Sequence, residues 1–317
     1  MIRPWIWLAG TLVLTLAVPL LLTDARFAAY IVTSVFLQLL FASGMNLLSG
    51  YTGITPLGFA GITGISAYLC VGLVMRAGWS FWAAWPVATL GAAVAGVLLG
   101  LPALRLRGFY FVLSSLVVQT VLTLAFTAFA SLTNGDTGIS QIPPPSSPFV
   151  AGGVLRGTGL DLLIALVGWA GVTIAWLLAR SGFGRRMVAV REDPELAETL
   201  GMDVVSCKLA AFFISSLYAA CGGPLMAVFV GFISPRSFDL LASLNIWLIV
   251  AFGGQGSIAG PVIGTLILAP LPSLLLSYYQ IKDIIYGLLI IGVTVAMPAG
   301  IYGQIRKLIR SRTETAR

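Results

Sequence analysis

The sequence predicts an all-α fold, a polytopic bundle of transmembrane helices, and three observations predict it. Of 317 residues, 58% are hydrophobic and only 9% charged, against about 25% charged in soluble domains. The apolar residues fall in runs that approach the roughly 20 residues a helix needs to cross the hydrocarbon core. The 36 glycines and 16 prolines sit inside those runs, as membrane helices tolerate better than soluble ones. Lipid is the natural solvent for such a chain.

Ten candidate spans follow from the apolar runs: 5–22, 28–48, 54–75, 81–101, 109–131, 160–179, 208–231, 243–253, 259–277 and 284–297. The eighth is too short to cross alone, and the third is glycine-rich enough to be re-entrant instead, so counts of eight or nine stay open. The first run follows Arg3 and lacks a clean small-x-small cleavage site, so it reads as a retained span rather than a secretory signal. The whole of 1–317 is then one transmembrane domain, with an external loop at 132–159 and a cytoplasmic loop at 180–206.

The basic residues test this layout. With the N-terminus in the cytoplasm, one side holds Arg3, Arg105, Arg107, Arg180, Arg185, Arg186, Arg191, Lys208, Arg306, Lys307, Arg310, Arg312 and Arg317. The other holds Arg26, Arg76, Arg156, Arg236 and Lys282. Thirteen against five obeys the positive-inside rule and places both termini in the cytoplasm; a multi-pass protein of the bacterial inner membrane is the expectation. The net charge of +7 is therefore an orientation signal and no sign of nucleic-acid binding. Cys70, Cys207 and Cys221 are an odd set without paired spacing and read as small buried hydrophobes. With no histidine in the chain, a catalytic triad or an ordinary zinc site is excluded. The chain is expected to carry no cofactor, no metal and no catalytic residue.

No predicted span has an ionisable side chain in its interior; Asp161 and Lys208 stand at span ends. That disfavours a proton-coupled carrier, which would need such a group in spite of its cost, and leaves sodium coupling through backbone carbonyls open. A phosphate-binding loop needs Gly-rich sequence ending in Lys followed by Ser or Thr. The three lysines, Lys208, Lys282 and Lys307, precede Leu, Asp and Leu. The chain is thus either passive or driven by a partner.

Two regions interrupt the apolar pattern in opposite halves. Gly44–Tyr68 reads GMNLLSGYTGITPLGFAGITGISAY and Phe252–Thr265 reads FGGQGSIAGPVIGT. Paired Gly/Pro-interrupted segments point to a transport site, where broken helices offer backbone donors to a carboxylate. The candidate pathway residues are Asn46, Ser49, Tyr51, Thr52, Gly53, Thr55, Gly58, Gly253, Gly254, Gln255 and Ser257. Two alternatives stand beside this: the glycines serve close helix packing, and the polar groups satisfy the opened backbone instead of a solute. The external stretch LTNGDTGISQIPPPSSPFVAGGVLRGTG, residues 132–159, is either a functional cap or a passive connector.

Five of the eleven acidic residues lie between 192 and 203: Glu192, Asp193, Glu195, Glu198 and Asp203. Asp193 can cap a helix that starts at Pro194, Glu195 suits its positive end, and Gly201 stops it. Leu196 and Leu200, at i and i+4, form an apolar stripe. The result is a short amphipathic helix on the cytoplasmic side, fit to dock in another protein's groove or else a solvated loop helix.

At this point the chain resembles a known family. GRRMVAVREDPELAETLGMDVVSCKLAAFFISSLYAACGGPLMA, from Gly184 to Ala227, is similar to the cytoplasmic loop and following span of branched-chain amino-acid permeases of ABC importers, the larger of two paired permeases. NLLSGYTG (46–53), GITGISAY (61–68), LPALRLRGFYF (101–111), LTNGDTGI (132–139), SPRSF (234–238) and GGQGSIAGPVIGT (253–265) match in order. The resemblance implies a heterodimer with a second permease, two cytoplasmic ATPase subunits and an external solute-binding protein. It implies that Arg191, Glu192, Asp193, Pro194, Glu195, Leu196, Ala197, Leu200 and Gly201 form the element coupled to an ATPase. It departs at Ile54, Pro56 and Phe59, where many relatives carry Gln, Ser and His, and at Ala299, where a PRG motif has Arg. The function it implies is import of branched-chain or other small amino acids. Import of urea or short amides, an ion-coupled carrier and a passive small-solute channel are the alternatives.

Overall fold

The computed structural model describes residues 26–104, 106, 108–146, 153–155 and 157–274, with the isolated positions 11, 15, 17, 19, 287–288 and 300–304. The helices are α1 (Arg26–Ser49), α2 (Phe59–Met75), α3 (Phe81–Leu104), α4 (Phe109–Ala128), α5 (Ala130–Thr133), α6 (Thr158–Arg180), α7 (Gly182–Glu192), α8 (Pro194–Thr199), α9 (Val204–Val230), α10 (Leu240–Gly253), α11 (Ala259–Leu268) and α12 (Leu271–Leu274). Two short strands, β1 (Ile139–Ser140) and β2 (Phe232–Ile233), and two 3-10 turns complete the described chain.

Among the described residues six segments are long and apolar enough to cross a membrane: α1, α3, α4, α6, α9 and the stretch Pro235–Gly253 that contains α10. The predicted spans at 28–48, 81–101, 109–131, 160–179 and 208–231 each coincide with one of these helices. The predicted span at 54–75 starts late, at Phe59, because the chain is non-helical from Gly50 to Gly58. The eighth, read as 243–253, is lengthened by a 3-10 turn at Pro235–Phe238 and a helix start at Leu240. The predicted spans at 5–22 and 284–297 lie largely outside the described residues.

Helices in lipid gain nothing from burying apolar surface against each other, so they associate by close fit. The sequence supplies that fit through small residues at four-residue spacing. On α3, Ala84, Ala88, Ala92, Gly96 and Gly100 form one buried stripe. Its other faces carry Val87, Leu90, Val94 and Leu98, each half exposed or more, as a lipid-facing surface requires. α9 fills the stripe: Phe212 of α9 lies 2.6 Å from where a Cβ on Gly100 would stand. Further along α9, a Cβ on Gly223 would overlap the Thr63 carbonyl oxygen of α2. α1 is the central helix, with every residue from Leu39 to Ser49 buried, and packs on α6, α9, α10 and α11.

The two ends of the bundle differ. At one end, which we call the cap end, Phe81, Trp82 and Trp85 cluster with ring centroids 5.8–6.3 Å apart, an interfacial kind of aromatic group. The connector after α4 is tied down there. Arg76 donates to the Leu132 carbonyl at 2.9 Å, Trp82 to the Ser146 carbonyl at 2.8 Å, and β1 pairs antiparallel with β2, Ile139 opposite Ile233. At the other end, the elbow end, α6 finishes with Arg180 stacked over Trp176 at 4.1 Å and the chain turns into α7 and α8. The ionisable residues of the spanning helices, Arg26, Asp161, Arg180 and Lys208, stand within the first or last turns or so. Asp161 accepts a hydrogen bond from Thr33 Oγ1 at 2.8 Å.

Candidate functional site

The two glycine-rich segments meet each other at the elbow end. The first break lies between α1 and α2, over Gly50–Gly58; the second lies between α10 and α11, over Gly254–Ile258. Asn46, 1% exposed on the last turn of α1, joins them. Its side-chain N–H donates to the Ser257 carbonyl at 2.9 Å, and its Oδ1 accepts from the Gly256 N–H at 3.0 Å. Gly256 has φ +75° and Gly254 φ +118°, conformations that side-chain-bearing residues rarely adopt.

The second break is a tight helical hairpin. A Cβ on Gly253 would overlap the Gly260 carbonyl oxygen, and one on Gly264 would overlap the Ile249 carbonyl oxygen. Backbone therefore touches backbone between α10 and α11. Ser257 closes the turn: its hydroxyl donates to the Gly254 carbonyl and accepts from the Gly260 N–H, both at 3.0 Å.

Most polar candidates here are bound to main chain. Ser49 donates to the Met45 carbonyl at 2.9 Å and Thr52 to the Leu48 carbonyl at 2.5 Å. With Asn46 and Ser257, they match the reading in which polar side chains satisfy an opened backbone. Tyr51 is buried, Thr55 and Gly58 are half-buried, and Gly53 and Gln255 are exposed at the break surfaces. Replacing Asn46 by Ala leaves a Gly256 N–H and a Ser257 carbonyl unpaired, at about 1–3 kcal/mol for each group that stays buried. We expect a lower thermal unfolding midpoint in detergent for that variant; an unchanged midpoint would show that the clasp carries no load.

Sequence reading missed the groups that hold the start of α2. The Leu57 N–H donates to Ser115 Oγ at 3.0 Å, the Ala60 N–H to Ser243 Oγ at 2.9 Å and the Gly61 N–H to Gln119 Oε1 at 2.8 Å. Gln119 Nε2 in turn donates to the Phe238 carbonyl at 2.6 Å. The expectation that a broken helix offers free donors to a carboxylate is thus modified: side chains from α4 and α10 occupy the Ala60 and Gly61 donors. The available signal was a Gln and Ser residues inside apolar spans, where a polar group needs a partner.

Beside the breaks stands the elbow. α7 was not foreseen as a helix. Ser181 caps it by accepting from the Gly184 N–H at 3.3 Å, and Met187 and Val190, each 1% exposed, seat it on the bundle. α8 forms as predicted. Asp193 Oδ1 accepts from the Glu195 and Leu196 N–H groups, each at 3.0 Å, and Gly201 leaves with φ +81°. Ala197 is buried against the bundle, whereas Leu196 and Leu200 are 56% and 68% exposed. Glu192, Glu195 and Glu198 are exposed around them. Asp203 caps α9; hydrogen bonds from the Ser206 hydroxyl and N–H hold its carboxyl below the ordinary carboxylate value. The Arg191 guanidinium reaches out of the elbow and donates through Nη1 to the Gly50 carbonyl of the first break.

Comparison with known proteins agrees with this architecture. The family described as "Branched-chain amino acid transport system / permease component" matches residues 27–294. The chain is 29% identical over 337 aligned positions to the high-affinity branched-chain amino acid transport system permease protein LivM of Escherichia coli strain K12. The match covers 100% of this chain and 79% of that protein, and the LivM protein of Salmonella typhimurium matches to the same extent. The autoinducer 2 import system permease protein LsrC of Shigella flexneri is 29% identical over 259 positions, 74% of this chain and 68% of that protein. No solved structure matches at a significant level. With its glycine-broken helices, its capped elbow and a family match that spans most of its length, the chain belongs to the branched-chain amino acid transport system permease component family.

Proposed function

We propose that this chain is the larger of two paired permease subunits in an ATP-driven importer of branched-chain or other small amino acids. In this reading it forms a heterodimer with the second permease. Two cytoplasmic ATPase subunits drive the pair, and an external binding protein delivers the solute at the cap end. The elbow end and both termini face the cytoplasm, and the two shorter apolar helices Phe59–Met75 and Ala259–Leu274, with the predicted spans at 5–22 and 284–297, bring the six long segments to a total of ten. The chain brings no cofactor and no catalytic group of its own.

The observation that carries the reading is the elbow itself. A six-residue helix, capped at its start, carries Leu196 and is followed by Leu200, both largely exposed within an acidic rim, and the Arg191 side chain just before it reaches both glycine breaks. A leucine pair of this kind suits a groove on another protein, and a passive pore would have no use for it. The basic side chains Arg180, Arg185, Arg186, Arg191 and Lys208 cluster at the same end, which supports its cytoplasmic placement. The breaks then form the inner gate of the pathway, with Gly53, Thr55 and Gln255 at its open surface and Asn46 as its clasp.

The substrate class is tested by uptake of labelled leucine, isoleucine and valine into proteoliposomes that carry the full complex with its binding protein, urea and acetamide being the competitors. Uptake that needs ATP and resists both amides is expected. Uptake of urea or acetamide in preference to the amino acids would assign a different solute.

A further inference from the structure

One arginine touches both glycine breaks. Arg191 lies on the last turn of α7, two residues before Asp193, the cap of α8. Its Nη1–H donates to the Gly50 carbonyl in the first break. A Cβ on Gly53 would stand 3.1 Å from Arg191 Cγ, and a Cβ on Gly256, in the second break, would stand 2.7 Å from the same Nη1. The stem of the side chain thus lies along Gly53 while its head sits where Gly50 and Gly256 come together. The absence of side chains at Gly53 and Gly256 is what admits it.

The acceptor is also part of the clasp. The Gly50 N–H donates to the Asn46 carbonyl at 2.8 Å, and Asn46 holds Gly256 and Ser257 through its side chain. Arg191, Gly50, Asn46 and Gly256 therefore form one continuous hydrogen-bonded chain from the elbow to both breaks. The elbow has a firm base: Met187 and Val190 are buried on α7, and Ala197 is buried on α8. A push on α8 reaches Arg191 through two residues of backbone.

We propose that Arg191 is the positioning residue that links movement of α8 to both glycine breaks, so that a shift of the elbow withdraws the guanidinium from Gly50 and loosens the Asn46 clasp. This rests on α8 being the ATPase-docking helix. Coupling between distant sites needs an element with two arrangements that both sites bias, and the clasp, bonded or released, is such an element. Because a guanidinium carries its charge and several donors in a rigid plane, it holds the Gly50 carbonyl more firmly than a neutral donor would.

The test is made on the assembled complex in proteoliposomes, reading ATPase co-purification, ATP hydrolysis and solute uptake for Arg191→Ala, Arg191→Lys and Leu196→Asp. Arg191→Ala keeps the ATPase and hydrolyses ATP, while uptake per ATP hydrolysed falls about tenfold, within the usual range of coupling ratios. Arg191→Lys, whose ammonium can still donate to the Gly50 carbonyl, recovers part of that ratio. A merely structural role would lower the yield of complex and leave the ratio unchanged. An unchanged ratio for Arg191→Ala overturns the link, and so does loss of the ATPase from that variant. Retention of the ATPase by Leu196→Asp overturns instead the docking reading on which the link rests.

Discussion

Leu196→Asp removes ATPase capture and ATP-driven uptake together, while the chain still inserts and folds. Leu196 is 56% exposed on α8, so its replacement leaves the buried seat of the elbow at Met187, Val190 and Ala197 in place. In the proposed ATPase groove the rest of that leucine would be buried, worth up to about 1.5–3 kcal/mol. Aspartate forfeits that and adds a carboxylate that must be desolvated beside Glu192, Asp193, Glu195 and Glu198. Together these terms exceed about 3 kcal/mol, more than a hundredfold in affinity. Co-purification of the ATPase with the variant, set beside wild type, is the direct reading. Normal capture with normal uptake would remove α8 from the interface.

Gly253→Val has the largest expected effect on the fold. Its Cβ would overlap the Gly260 carbonyl oxygen and lie 2.5 Å from the carbonyl carbon and 3.0 Å from the Gly264 N. All of these are backbone atoms, so no rotamer change relieves the clash. α10 and α11 must separate, and the Ser257 turn and the Asn46 clasp go with them. Overpacking a core commonly costs about 1–3 kcal/mol, and a rigid backbone contact belongs at or above the top of that range. Little monodisperse protein is expected by size-exclusion chromatography in mild detergent. Gly53→Ala is the contrast: the nearest neighbour is the flexible Arg191 stem, and φ +73° adds only local strain. That variant assembles and transports poorly. Equal yields of folded protein from Gly253→Val and wild type would disprove the close hairpin.

These predictions draw on features that were unequally visible in the sequence. The spanning helices and the α8 cap were legible because their physics is local: apolar runs of fixed length, and an Asp-Pro-Glu start with a Gly stop. The two glycine clusters were legible as breaks, but their contact was not, since Asn46 and Gly256 are 210 residues apart in the chain. The roles of Ser115, Gln119 and Ser243 were hidden for the same reason; each looks like one more polar residue in an apolar span until α2 is placed between α4 and α10. α7 escaped notice because Gly182 and Gly184 dilute its helical signal, although Met187 and Val190 at i and i+3 mark a buried face. Arg191 was grouped with the elbow by position. Its reach into the first break depends on the bareness of Gly53 and Gly256, a steric fact that composition alone does not reveal.

In the proposed account, the breaks and the elbow together make the chain a route whose opening is moved from outside. The lone protein, purified and reconstituted in liposomes with ATP and labelled leucine on the appropriate sides, should neither hydrolyse nucleotide nor accumulate solute. Adding the second permease, the ATPase pair and the binding protein should start both. Concentrative uptake by the single chain with no nucleotide-hydrolysing companion would contradict the account.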